Sequence, residues 1–232
     1  MRSPVCVIQN HPVESAGTTV DFLADQQIPF TEVHTYRGDP FPALENIAAV
    51  LVMGCPTSVT ELEHHPFLIA LRSFVSEVVR LNTPFLGVCF GGQLLARVLG
   101  AQVRRNPVRE IGVYRTRLTG AGRTDPLFRG FEPEFDVFHW HGDTFDIPSV
   151  ATLLATGETC TNQAFRRGMA VGLQFHLETS SADVPLWCDE YARELDEEGK
   201  TKADIVRSFE NCAQALQTAN YRLLNNFFAT IR

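Results

Sequence analysis

The sequence predicts an α/β fold: a mostly parallel central sheet with helices on both faces, an antiparallel extension of that sheet, and C-terminal helices. Three observations predict it. In the first half, short continuous apolar runs alternate with amphipathic helical segments, which is typical of buried parallel strands. In the middle, alternating and aromatic segments are joined by short connections rich in Gly, Pro and Asp, as in antiparallel sheets. From Val184 onward, apolar residues recur at helical spacing among charges.

The individual elements follow in chain order. Strands are predicted at Val5–Ile8, Phe30–Thr35, Val50–Met53, Pro84–Val88, Ile111–Leu118, Ala151–Thr156 and Met169–Phe175. Helices are predicted at Ser15–Gln27, from Pro66 onward, between Cys89 and Gly100, and beyond Val184. Parallel sheets bind ligands at the carboxyl ends of their strands. We therefore expect a ligand site where Gly54 and Cys89 follow two of these strands.

Length and composition bound the possibilities. The 232 residues show no internal repeat or linker, so we predict one domain, 1–232, with 184–232 as a helical extension. Hydrophobic residues make up 44% and charged residues 20%, which is ordinary for a soluble globular protein. The formal charge of −7 argues against a nucleic-acid partner.

The same data predict a cytoplasmic protein without a membrane partner. The apolar run near the N-terminus is too short for a signal peptide. No stretch approaches the roughly 18 apolar residues of a membrane span. Six scattered cysteines without a Cys-x-x-Cys pair predict free thiols, and neither a metal site nor a cofactor is expected.

Cys89 is the strongest candidate for a catalytic residue. It lies in Gly-Val-Cys-Phe-Gly-Gly-Gln, residues 87–93, between an apolar run and a helix-like run. A nucleophile on a sharp strand-to-helix turn needs neighbouring glycines. The N–H groups at the start of the following helix favour a thiolate and can hold an oxyanion. The alternative is a buried structural cysteine at a tight turn.

A cysteine nucleophile needs a base and a group that orients the base. Of the seven histidines, His176 follows an apolar run expected to be a central strand. Glu178 lies two residues later and can accept the imidazole N–H. A structural histidine with satisfied hydrogen bonds is the alternative interpretation of this pair alone.

The combination is more specific than its parts. Gly-x-Cys-x-Gly-x-Gln after a strand, followed some 85 residues later by Gln-Phe-His-x-Glu, resembles the class I glutamine amidotransferase family. Gly54-Cys55-Pro56 is similar to the oxyanion strand of that family, and Glu110–Gly112 and His139–Asp143 match intervening stretches. The resemblance covers roughly residues 1–182. It is strongest to free-standing members related to the glutaminase domain of GMP synthase, and it implies a flavodoxin-like fold.

The resemblance implies a mechanism. Cys89 would attack the γ-carboxamide of glutamine or a γ-glutamyl compound, forming a γ-glutamyl thioester that water releases. His176 would transfer protons and Glu178 would orient it. The backbone N–H groups of Phe90 and Cys55 would hold the oxyanion. The residues implied in substrate binding are Gly54, Gln93, His141 and Asp143, although His141 and Asp143 can equally stabilise a turn.

Two positions depart from the family pattern. Cys55 stands where the family usually has glycine, so a positive φ there would strain the backbone and turn the oxyanion donor away. Cys55 also adds a second thiol near Cys89, which makes oxidative inactivation conceivable. Leu177 replaces the usual proline between the histidine and the glutamate, a change expected to be harmless.

Four functions compete. The first is a free-standing hydrolase of small-molecule γ-glutamyl amides. The second is a glutaminase subunit that supplies ammonia to a separate synthase partner, and the chain can also form a homo-oligomer. The third is a non-catalytic regulatory protein whose oxyanion hole is impaired. The fourth is a dienelactone hydrolase, because its elbow is similar; Gln93 has no explanation there.

Overall fold

A computed structural model describes residues 3–231, and its centre is a nine-stranded sheet. Met1, Arg2 and Arg232, the ends of the predicted domain, lie outside the described residues. The strands are β1 Val5–Gln9, β2 Phe30–His34, β3 Ala49–Val52, β4 Phe85–Val88, β5 Val103–Leu118, β6 Glu134–Phe145, β7 Thr152–Gly157, β8 Ala164–Arg167 and β9 Ala170–Leu173. The α-helices are α1 Thr18–Asp25, α2 Pro66–Arg80, α3 Phe90–Val98, α4 Gly120–Thr124, α5 Asp183–Glu190, α6 Ala192–Glu197, α7 Lys202–Glu210 and α8 Ala213–Ala229.

The sheet is mixed, so the prediction of a mostly parallel sheet is wrong. Its order is β2-β1-β3-β4-β9-β8-β7-β5-β6. The four pairings from β2 to β9 are parallel, and the four from β9 to β6 are antiparallel. The antiparallel part is larger than expected because β5 begins at Val103, eight residues before the predicted start at Ile111. The charged residues in that stretch concealed the strand.

The parallel half agrees with the apolar runs of the sequence. Every residue of β1, β3, β4 and β9 is buried, as expected for strands covered on both faces. The order β2-β1-β3-β4-β9 has the flavodoxin-like arrangement 2-1-3-4-5. Helix α1 begins at Thr18 instead of Ser15 because Gly17 has φ +47, outside the helical region. β8 was not predicted, because its four residues include two arginines.

Helices cover both faces of the sheet, as predicted. One core contains the buried faces of α2 and α3. The other contains those of α1 and the C-terminal helices α5 to α8. Phe138 of β6 connects the second core to the sheet, with ring centroids 5.3 Å from Phe209 of α7 and 6.1 Å from Trp187 of α5. Within residues 3–231, no helix has the length and apolarity needed to cross a membrane.

The prediction that the chain forms one domain can be tested at this contact. Phe209 is 1% exposed, so Phe209→Ala is expected to lower the free energy of unfolding by about 3–5 kcal/mol through lost burial and a residual cavity. Urea denaturation followed by tryptophan fluorescence and by circular dichroism measures the change. The transitions followed by the two probes should coincide, because the sheet and the C-terminal helices pack in the same core at Phe209.

Leu186→Ala in α5 is the matched control. Leu186 is 52% exposed, so its replacement should change the free energy of unfolding by no more than about 0.5 kcal/mol. Separate transitions for the two probes in Phe209→Ala would show that the C-terminal helices unfold independently of the sheet, contrary to a single domain.

Candidate active site

Four chain segments meet at one edge of the sheet because each follows a parallel strand. Glu14 comes after β1, Cys55 after β3, Cys89 directly after β4, and His176 after β9. The carboxyl ends of parallel strands lie on the same side, and this is where open α/β sheets bind ligands. The prediction that Cys89 and the Gly54–Pro56 turn lie at a shared edge is confirmed.

Cys89 has a strained backbone. Its φ of +50° and ψ of −106° are unusual for a residue with a side chain, and it forms the N-cap of α3. The two glycines that follow allow the backbone of α3 to lie very close to neighbouring strands. A Cβ on Gly91 would lie 2.2 Å from the Val52 carbonyl oxygen, and one on Gly92 would lie 2.4 Å from that of Leu173. The strain is therefore carried by the cysteine, while the glycines let α3 pack against β3 and β9.

The two backbone N–H groups predicted to hold an oxyanion make no hydrogen bond within the described residues. Among residues 3–231, no hydrogen-bond acceptor engages the N–H of Phe90 or that of Cys55. The Cys89 N–H, by contrast, donates to the Leu173 carbonyl at 2.8 Å. Cys55 has no positive φ, so its Cβ causes none of the strain considered above.

The His176–Glu178 pair is held from several sides. His176 Nδ1 lies 2.6 Å from Glu178 Oε1, and the His176 backbone exchanges two hydrogen bonds with Phe138 of β6. The Leu177 N–H donates to Glu178 Oε2 at 3.0 Å. Proline lacks that N–H, so the departure at Leu177 adds a hydrogen bond. The Glu178 carbonyl accepts from the Thr18 N–H at 2.7 Å.

The electrostatics of the pair suit proton transfer. Burial alone lowers the pKa of His176, but the Glu178 charge and the hydrogen bonds with Cys89 and Glu178 outweigh it and raise the pKa well above its usual value. Burial raises the pKa of the Cys89 thiol, and His176 opposes that effect. His176 Nε2 has no other hydrogen-bond partner among the described residues. A histidine with a raised pKa thus lies beside the Cys89 thiol.

Three of the four residues predicted to bind substrate lie together. Gln93, His141 and Asp143 line one pocket with Cys55 and Cys89. The Asp143 carbonyl accepts a hydrogen bond from Gln93 Nε2 at 3.2 Å and contacts His141 Nδ1 at 2.9 Å.

Other contacts complete this end of the pocket. The Ser58 hydroxyl donates to Asp143 Oδ2 at 2.5 Å. Gly54 lies behind the pocket wall, where a Cβ would be 3.5 Å from His176 Cε1. His141 and Asp143 both lie within strand β6, so their contact stabilises no turn, and it lies at the pocket.

A second cluster of Cys, His and Glu lies nearby. Glu110, His141 and Cys160 bring one potential metal-ligating atom each within 4.8 Å of the others. They already bond within the protein: His141 Nε2 lies 2.9 Å from Glu110 Oε2, and the Cys160 thiol donates to Thr144 at 3.1 Å. Cys160 is fully buried, and burial raises its pKa to about 11. Because Cys160 does not reach the pocket, Cys89 is the better placed nucleophile.

Sequence reasoning missed one wall of the pocket. Glu14 lines it together with Trp140, Trp187, Tyr191 and Glu194. Glu14 follows β1, so the rule that located Cys89 could have found it. No sequence signal distinguishes Trp187 and Tyr191, because aromatic residues in amphipathic helices usually serve packing.

The Glu14 carboxyl is buried at a cost. Burial raises its pKa to about 7, although the Tyr191 hydroxyl donates to Oε1 at 2.7 Å. A raised carboxyl pKa contributes stability that is complete below the ordinary value of 4.5 and is lost as the pH rises through about 7. Replacing Glu14 should remove this pH dependence.

We therefore expect Glu14→Gln to gain stability relative to the natural protein as the pH rises from 4.5 to 8, by about 2–4 kcal/mol in total. Urea denaturation across this range measures the difference. Glu198→Gln, at an exposed carboxylate, is the control and should follow the natural protein. If the difference in free energy of unfolding between Glu14→Gln and the natural protein stayed constant across this pH range, the raised pKa of Glu14 would be contradicted.

Comparison with known proteins agrees with this geometry. The profile of the family described as glutamine amidotransferase class-I matches residues 9–184. The glutamine amidotransferase-like protein YfeJ of Salmonella typhimurium is 31% identical over 218 residues, which cover 91% of this chain and 88% of that protein. The crystal structure of a glutamine amidotransferase from Thermotoga maritima has a TM-score of 0.91 and 32% identity, and 98% of each chain is covered.

GMP synthase of Cytophaga hutchinsonii is 34% identical over 154 residues. This match covers 65% of the chain and only 28% of the synthase, so the chain corresponds to about a quarter of that relative. These matches exclude the dienelactone hydrolase alternative. The chain belongs to the class I glutamine amidotransferase family.

Proposed function

We propose that the protein hydrolyses the γ-glutamyl amide bond of glutamine or of a γ-glutamyl compound through a γ-glutamyl thioester on Cys89. The observation that carries this proposal is the meeting of Cys89 and the His176–Glu178 pair at the edge of the pocket. Membership of a glutamine amidotransferase family supports an enzyme that acts on the glutamine amide.

Acylation begins when His176 Nε2 accepts the proton of the Cys89 thiol. The sulfur attacks the γ-carbonyl carbon, and the carbonyl oxygen becomes an oxyanion that the N–H groups of Phe90 and Cys55 hold. Each such donor is typically worth about 3 kcal/mol. His176 then gives its proton to the leaving nitrogen, the C–N bond breaks and the thioester forms.

Deacylation reverses the roles of the same groups. His176 Nε2 accepts a proton from water, whose oxygen attacks the thioester carbon. The C–S bond breaks, the thiol of Cys89 is restored and glutamate leaves. Glu178 stays ionised and stabilises the imidazolium in both halves, as the acid of a catalytic triad does.

The glutamyl end of the substrate is assigned to the Gln93–Asp143 side of the pocket. Gln93, His141 and Asp143 share hydrogen bonds there, and the Asp143 carboxylate can accept from an α-amino group. Gly54 leaves room for the side chains that close around His176.

The free-standing hydrolase is favoured over a glutaminase subunit by the C-terminal helices. Trp187, Tyr191 and Glu194 of this region line the pocket that contains Cys89, so the chain itself supplies this part of the wall around a substrate. A non-catalytic role loses its main argument, because Cys55 does not have the positive φ that would impair the oxyanion hole.

Cys89 should carry the acyl group. After incubation with glutamine or a panel of γ-glutamyl peptides, intact-mass measurement is expected to find a γ-glutamyl adduct on the natural protein and none on Cys89→Ala. Glutamate release should fall by about 10⁴-fold or more in that variant. Diazo-oxo-norleucine, a glutamine-like electrophile, should label Cys89.

Cys212→Ser is the matched control, because Cys212 lies at the start of α8 and does not line the pocket. It should keep both the adduct and the turnover. Strict dependence of glutamate release on an added synthase would favour the ammonia-supplying subunit instead. Failure of both substrate and electrophile to modify Cys89 would favour the non-catalytic alternative.

Glu178→Gln should lower turnover by about 10²- to 10⁴-fold, since an amide cannot stabilise the His176 imidazolium. Steady-state kinetics with the best substrate of the panel measures this effect. Glu190→Gln, in α5 at the protein surface, serves as the control. Turnover within twofold of the natural protein in Glu178→Gln would remove Glu178 from the mechanism.

A further inference from the structure

The pocket has an acidic group that the proposed mechanism does not use. Glu14 is 7% exposed, and its Oε1 accepts the Tyr191 hydroxyl at 2.7 Å. Its Oε2 accepts no hydrogen bond from the part of the chain that the structure describes. An unpartnered carboxylate oxygen at a largely buried position is costly, so a hydrogen-bond donor from outside the protein would be well matched to it.

The position of Oε2 indicates which part of a substrate would meet it. A Cβ built on Gly54 would lie 2.1 Å from Glu14 Oε2 and 3.5 Å from His176 Cε1. Oε2 therefore packs directly against Gly54, on the side of that residue that faces the His176 ring. The Trp187 ring also packs on His176, with its centroid 5.0 Å from that of His176.

In the proposed mechanism, His176 gives its proton to the leaving nitrogen. That nitrogen must therefore lie within hydrogen-bond reach of His176 Nε2, on the side of the pocket where Glu14 and Trp187 lie. The glutamyl end is assigned to Asp143, which accepts hydrogen bonds from Gln93 and Ser58.

We propose that Glu14, held by Tyr191, is the hydrogen-bond acceptor for the departing amine, so that the site takes γ-glutamyl amides of ammonia or primary amines. The inference rests on the proposed function. As the tetrahedral intermediate collapses, the nitrogen takes the proton of His176, the C–N bond breaks and the carbonyl re-forms. An N–H that the nitrogen already carries points to Glu14, which stays a carboxylate throughout. Amides of secondary amines lack that N–H.

The surroundings of Glu14 give the contact a pH dependence. The titratable groups that act on it or respond to it are Tyr191, His176, Glu178, Glu194 and the thiols of Cys55 and Cys89. Because burial raises the pKa of Glu14 to about 7, the acceptor is lost as the pH falls through that value.

Glu14→Gln and a pair of matched substrates test the proposal. The γ-methylamide of glutamate has a leaving group with an N–H, and its γ-methyl ester does not. In the variant, the Tyr191 hydroxyl donates to the amide oxygen of the new glutamine side chain. The NH₂ group of that side chain then faces the leaving nitrogen. We expect kcat/KM for the methylamide to fall roughly 10- to 100-fold, as for loss of a charged hydrogen bond. Ester turnover should stay within about threefold.

The pH profile and a second variant complete the test. In the natural protein, the ratio of amide to ester turnover should rise with pH through about 7, and in Glu14→Gln it should be flat. Tyr191→Phe should also lower turnover of the amide and not of the ester, by a smaller factor than Glu14→Gln. If Glu14→Gln does not fold, Tyr191→Phe alone tests the proposal. Urea denaturation establishes that each variant is folded.

Two results would overturn the proposal while leaving the hydrolase intact. Equal loss on amide and ester in both variants would assign Glu14 and Tyr191 a structural role. Unchanged amide turnover in both would remove them from the reaction. If neither substrate acylates Cys89 in the natural protein, the proposed function fails and the inference fails with it.

Discussion

The close packing of the N-terminus of α3 against the sheet is the constraint on which the site depends. Gly91 and Gly92 bring the first helical turn against the carbonyls of Val52 and Leu173. The chain can enter that turn from β4 only if Cys89 adopts a positive φ, at a cost of about 1–3 kcal/mol. The hydrogen bond from its N–H to Leu173 helps to hold it. Within residues 3–231, the same turn leaves the Phe90 N–H without a hydrogen-bond acceptor.

Three carboxyl groups near the pocket differ because of their surroundings. Glu178 is bound by His176 and by the Leu177 N–H, and Glu110 by His141; in Glu110 these contacts lower the pKa despite burial. Among the described residues, Glu14 accepts only from Tyr191, and burial raises its pKa to about 7. Glu178 is thus held by two groups beside the His176 ring, whereas one oxygen of Glu14 has no donor within the described residues.

The C-terminal helices connect the pocket wall to the loop that follows β1. Trp187 donates to the Val13 carbonyl at 2.8 Å, and Ser15 donates to Asp183 at 2.8 Å. These contacts fix Glu14 between the turn that carries Glu178 and helix α5. Removal of α5 would therefore expose His176 as well as release Glu14, so the helices belong to the site as much as to the core.

Short segments of the chain were sufficient to predict Cys89, His176 and Glu178 as catalytic candidates, once the family resemblance joined the glycine-flanked turn to the histidine and glutamate two residues apart. Such segments also placed the parallel strands, whose apolar runs reflect burial on both faces. They could not reveal the full length of β5, because three arginines before Ile111 interrupt the apolar pattern, nor could they reveal β8, and so the prediction overestimated the parallel character of the sheet. Only the fold brought Tyr191 to Glu14 across 177 residues, because a contact between distant segments leaves no mark in either segment alone.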